Sequence, residues 1–136
     1  MSSGGEGEQN LASLLQALDP VLEPQYYVFC SVPELAAGDW QRLAPVAACR
    51  EEEGVTLVVL REVADTEGMA YSGVCHRITL RVHSSLEAVG LTAAVAGALA
   101  AGDISANVVA GRFHDHVFVP ADRAEEAFTR LRQLSD

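Results

Sequence analysis

The sequence predicts an α+β fold, built from antiparallel sheets with helices covering one face, in two consecutive ferredoxin-like, split-βαβ modules. Three observations predict it. From Val74 the chain reads strand, helix, strand, hairpin, strand, helix. From Gln25 it reads strand, link, two strands and a short helix, then the strand that opens the second half. Short Gly-containing turns, Glu51–Gly54 and Gly111–Asp115, join the hairpin strands in each half. The expected organisation is a disordered Ser/Gly/Glu-rich tail over residues 1–10, a first module over 11–73 and a second over 74–136.

Leucines at 11, 14, 15 and 18 repeat at helical spacing, with Asn10 suited to the N-cap and Pro20 to the stop. Gln25 to Val32 is aromatic and β-branched, hence a strand. Pro33 to Leu43 reads as an irregular link with a helical turn near Trp40. Val46–Glu51 and Val55–Arg61 make a hairpin, where Gly54 after three glutamates suits a positive-φ position. A short helix is expected over Ala64–Ala70, and a long strand runs from Val74 to His83 by alternation. The next helix is expected from Leu86 to Ala101, capped by Ser84 or Ser85, with Glu87 in its first turn and Gly102 at its C′ position. Strands follow at Ile104–Ala110 and His116–Val119. Asp122 then caps a last helix with Ala124, Ala127, Phe128, Leu131 and Leu134 on its apolar face.

At 136 residues, 49% of them hydrophobic and 21% charged, the chain buries roughly two thirds of its unfolded surface without needing a metal or disulfide staple. The apolar run from Gly90 to Ala101 falls short of the roughly 20 residues that span a bilayer. The acidic N-terminus has neither a basic nor an apolar leader region, so a cytoplasmic protein is expected. Net charge is −10, with nine Arg and no Lys. Such a surface repels nucleic acid and anionic membrane. Cys30, Cys49 and Cys75 form no C-x-x-C pair and read as reduced thiols.

Three motifs stand out together: His83-Ser84-Ser85-Leu86-Glu87-Ala88-Val89-Gly90-Leu91-Thr92, Ile104-Ser105-Ala106-Asn107-Val108-Val109-Ala110-Gly111, and His114-Asp115-His116-Val117-Phe118-Val119-Pro120. With Tyr27–Pro33 and Glu52–Val58 they resemble the ACT-domain family, and most of all bacterial tandem ACT-like proteins of uncharacterised function. The resemblance spans about residues 11–134. It implies a regulatory module that binds an amino acid or similar effector in the loop between a strand and its helix. Two modules often meet at that site. A homodimer is expected, since pairing sheets would bury edge strands.

The residues themselves lead to the same loop. A helix N-terminus near Leu86 would present unpaired N–H groups to a carboxylate, and Gly90 would let a ligand or a neighbouring backbone come close. The expected ligand-binding set is His83, Ser84, Ser85, Leu86, Val89, Gly90, Leu91, Asn107, Val108, His114, Asp115 and His116. Asp115 suits a ligand ammonium, or else a turn bonding its own backbone. Ser84 and Ser85 suit the ligand, the helix cap, or both. His83, His114 and His116 lack a further His or Cys at zinc spacing, so no metal or cofactor is predicted. Cys75 and His76 are adjacent on one strand and point to opposite faces, and no phosphate loop or nucleophile elbow is present. A non-catalytic binding protein is therefore expected. The alternatives are an interaction module with a vestigial pocket and a small metal-dependent enzyme.

Overall fold

A computed structural model describes residues 10–85 and 88–136. In chain order the elements are α1 (Leu11–Gln16), β1 (Pro20–Val32), α2 (Asp39–Leu43), β2 (Ala47–Glu51), β3 (Gly54–Leu60), α3 (Arg61–Thr66), β4 (Ser72–Leu80), α4 (Leu91–Ala100), β5 (Asn107–Ala110), β6 (Asp115–Pro120), a 3₁₀ turn at Ala121–Arg123, and α5 (Ala124–Gln133). The strand order is β2-β3-β1-β4-β6-β5. Two compact units divide the chain. Unit 1 holds residues 1–24 and 76–136, and unit 2 holds residues 25–75.

In unit 2, β3 pairs antiparallel with β1 (Val28 opposite Val59, Cys30 opposite Leu57) and with β2 (Ala48 opposite Leu57). Alternation sends Val28, Cys30, Leu57 and Val59 to one side, where Leu43 of α2 and Ala64 of α3 complete a core. The β2–β3 turn closes on Glu51 opposite Gly54, whose φ is +146°. A Cβ at Gly54 would lie 2.5 Å from the Val32 carbonyl oxygen, so close backbone approach as well as φ requires glycine there.

In unit 1, β5 and β6 pair antiparallel, Val108 opposite Val117 and Ala110 opposite Asp115. Ile78 and Leu80 of β4 with Val117 and Val119 of β6 face one side. Leu14 of α1, Leu91, Val95 and Leu99 of α4, and Ala124, Ala127 and Leu131 of α5 pack against them. Asn10 caps α1 as its residue type predicts, accepting from the Ser13 amide at 3.1 Å.

Several element boundaries differ from expectation, for reasons that are local. β1 begins at Pro20, five residues before Gln25, since the fixed φ of Pro20 and Pro24 suits an extended chain. The helical turn expected near Trp40 in the 33–43 link is present as α2. Helix α3 starts directly from Leu60 and is over by Gly68, whose φ is +67°, so the Ala64–Ala70 placement is corrected to Arg61–Thr66. β4 stops at Leu80 rather than His83, because the Arg81 and Val82 amides turn to the Asp19 and Leu18 carbonyls. The expected start of β5 at Ile104 moves to Asn107, since the Ile104 amide closes the end of α4 onto Leu99.

The helix placed at Leu86–Ala101 begins at Leu91. Its N-cap is Gly90, at φ +99° and with no side-chain cap, so Ser84 and Ser85 do not cap it. Leu86 and Glu87 lie outside the described residues, as does the tail through residue 9. At its other end Asp103, not Gly102, takes the positive φ (+58°). Gly102 leaves room for the flexible end of the Arg130 side chain, and Arg123 donates to the Gly102 carbonyl at 2.9 Å. Asp122 sits within the 3₁₀ turn and does not cap α5, whose N-cap is Arg123 without a side-chain bond.

Leu80 is 1% exposed at the centre of the unit 1 core. Leu80→Ala is expected to cost about 2–5 kcal/mol, read as a lower urea midpoint with an unchanged slope.

Candidate functional site

The site is built where alternation ends. β4 gives way after Leu80 to residues 81–85, residues 88–90 lead into α4, and β6 begins at Asp115 after the Gly111–His114 turn, which is closed by a 2.9 Å bond from the Gly111 amide to the His114 carbonyl. The two segments meet through the His83 and Phe113 rings, 5.6 Å apart. Among the described residues the buried polar or charged side chains are Ser84, Ser85 and Asp115, and all three lie in these segments. Buried polar side chains are ordinarily hydrogen-bonded, so their concentration here marks where polar chemistry enters the unit 1 core.

Asp115 is not the turn residue expected. It is the first residue of β6, opposite Ala110, on the side shared with Val117 and Val119. Burial pushes its carboxyl above the ordinary range, against a smaller lowering by His114. His114 Nδ1 is buried with no hydrogen-bond partner among the described residues. Its neighbour His116 points to the opposite side of the sheet, with Nδ1 3.1 Å from Thr79 Oγ1.

The other expected residues are distributed more widely. Val89 is 83% exposed and faces solvent. Leu91 is in the core and Val108 packs against it. Asn107 is exposed at the far end of β5, opposite Phe118. The space beside Gly90 is taken by Leu11, whose Cδ2 would lie 3.1 Å from a Cβ at that position. His83, His114 and His116 do not converge, and among the described residues no three His, Cys, Asp or Glu side chains form a metal-binding group. Burial pushes the Cys75 thiol up to about 11, away from nucleophilic use at neutral pH.

Sequence reasoning missed a polar group on the face opposite the helices: Glu23, Arg77 and Thr79, joined to His116. The signal for it was the alternation of Arg77 and Thr79 with Ile78 and Leu80. Glu23, set between Pro20 and Pro24, was hidden because that stretch did not read as strand.

Models of the ACT domain match residues 6–76 and, in tandem, 74–133. The chain belongs to the ACT-domain family. Such domains are regulatory modules that bind small-molecule effectors. Among solved structures the chain is similar to a Vibrio cholerae protein of unknown function described as a possible transport protein. Identity is 47% and the TM-score 0.83, covering 93% of this chain and 96% of that one. It shares its fold with the ligand-free regulatory subunit of aspartate kinase from Thermus thermophilus, at 12% identity and a TM-score of 0.61, covering 88% of this chain and 99% of that one. It also shares it with E. coli aspartokinase III in complex with aspartate and ADP. There identity is 14% and the TM-score 0.62, with 85% of this chain and 32% of that one covered. No curated protein matches the sequence significantly. No helix among the described residues is long and apolar enough to cross a membrane.

Because the Asp115 carboxyl lies above its ordinary value in the folded chain, its contribution to stability is full below about pH 3.8 and is lost as pH rises through the folded value. Asp115→Asn is therefore expected to melt higher than the parent at pH 7, with the gap closing as the solution is acidified towards pH 4. A gap that widens on acidification would contradict the assignment.

Proposed function

We propose that this chain is a non-catalytic regulatory ACT protein that binds an amino acid beside residues 83–85 and the start of β6 at Asp115, after the Gly111–His114 turn. One observation carries the reading: the buried polar side chains gather in the two segments that the His83–Phe113 contact brings together. In roles, Asp115 receives the ligand ammonium. Ser84, Ser85 and the buried His114 Nδ1 supply hydrogen bonds, and His83 with Phe113 walls one side. Gly90 seats the loop on Leu11 rather than admitting the ligand.

The aspartokinase solved with aspartate gives this reading its analogy, on the fold alone. In sequence terms the modules are residues 11–73 and 74–136, working in the cytoplasm as a homodimer that leaves nucleic acid and membranes alone. The closed approach of Leu11 to Gly90 favours one competing reading, an interaction module whose pocket no longer takes a ligand.

Thermal denaturation against the twenty amino acids separates the two. A binder at a hundred times its Kd stabilises the fold by roughly 2.7 kcal/mol. If no amino acid moves the melting point, the sensing role falls and the interaction module takes its place. With a binder identified, Asp115→Ala is expected to weaken binding about tenfold or more while retaining a cooperative melt. Unchanged affinity, measured calorimetrically, would take Asp115 out of the site.

A further inference from the structure

On the face of the unit 1 sheet opposite its helices, four polar side chains are joined in series across three strands. Arg77 of β4 donates from Nε to both Glu23 oxygens, at 3.0 and 2.9 Å, and from Nη2 to Oε1 at 2.9 Å. Thr79, two residues along β4, donates its hydroxyl to Glu23 Oε2 at 2.5 Å. The same hydroxyl oxygen lies 3.1 Å from Nδ1 of His116 on β6.

Counting protons fixes the direction of the last contact. A threonine hydroxyl has one proton, and the carboxylate held by Arg77 only accepts. The proton of Thr79 is therefore committed to Glu23, and the bond to His116 exists only if Nδ1–H donates to Oγ1. In the neutral ring this leaves Nε2 as the bare nitrogen. Nε2 faces the turn, 3.6 Å from where a Cβ at Gly111 would stand.

We propose that His116 is a proton-responsive residue of unit 1, held by Thr79 and Glu23 as its Nδ1–H tautomer, so that acidification places a charge on Nε2 beside the 111–114 turn. Thr79 and Glu23 are positioning residues, since they act through the ring. The charged and titratable groups facing it are Glu23 from β1, Arg77 from β4 and His114 from the turn. Its cross-strand neighbour on β5 is the apolar Val109. Burial lowers the proton affinity of the ring most, Arg77 next, and His114 also lowers it, while Glu23 acts the other way. A group lowered in this way contributes stability above its ordinary value of 6.5, and that contribution is lost as pH falls through the folded value. Protonation leaves the Nδ1–H bond intact, so the chain of bonds persists while its charge changes.

The tautomer requires no ligand. Its consequence for binding rests on the function proposed above: a proton on Nε2 and an ammonium at Asp115 repel each other, so acidification weakens capture of the amino acid.

Nitrogen-15 imidazole correlation spectra of the full chain test the assignment, with Gln in place of His116 to identify the resonance. Neutral His116 is expected to have its proton on Nδ1, with a titration midpoint below 6.5. Thr79→Val removes the acceptor, and the ring is expected to revert to the Nε2–H form with a displaced midpoint, whereas Thr79→Ser keeps both. The proposal is overturned if the wild-type neutral ring is protonated on Nε2, a result that needs no folded variant. It is overturned equally if Thr79→Val leaves tautomer and midpoint unchanged. Where an amino-acid binder is in hand, its affinity should fall several-fold as pH drops from about 7 to about 5, and His116→Gln should flatten that fall. A protein that binds no amino acid at any pH would sink the sensing role and leave the tautomer result standing.

Discussion

Ile78, Leu80, Val117 and Val119 project from neighbouring strands of unit 1 to the same side, and α1, α4 and α5 meet them there. Because side chains alternate along a strand, this fixes where everything else goes. Arg77, Thr79 and His116 must face away from the helices, where they find Glu23. Where β4 ends and β6 begins, the alternation stops and polar residues enter partly apolar surroundings, which is how Ser84, Ser85 and Asp115 come to be buried. The apolar face thus sets both the loop site and the polar chain behind it.

The two polar groups are managed differently. Glu23 has three hydrogen-bonded contacts from Arg77 and one from Thr79, so its charge is answered within the sheet. At Asp115 burial works against the charge and the field of His114 opposes it in smaller measure, while among the described residues His114 Nδ1 has no hydrogen-bond partner.

The fold was legible because its signals are periodic. The leucines of α1, the β-branched runs of β1 and β3, and the alternation of β4 come from burial on one face, which composition records directly. Boundaries were less legible wherever a distant contact sets them. Gly90 takes a left-handed conformation against Leu11, far back at the start of α1, and so the helix begins at Leu91 rather than at the serines. Asp122 has the chemistry of a cap, but a 3₁₀ turn occupies its place. Within the site, the serines and Asp115 were readable as polar residues in an apolar stretch. The Glu23 chain was not, because its members are separated by up to 93 positions (Glu23 to His116) and only strand pairing unites them.

Unit 1 is made of two stretches of chain with the whole of unit 2 between them. No single cut in the polypeptide therefore releases two complete bodies. A fragment ending near residue 75 would hold α1 and Pro20–Pro24 without the strands and helices they pack with. A fragment beginning there would lack Glu23 and the leucines of α1. Because unit 1 closes only when both stretches are present, the whole chain, and not either half, is the piece to transplant. Attachment points for a reporter or a fused partner are confined to the two chain ends and to turns such as Glu52–Glu53, where insertion interrupts neither body.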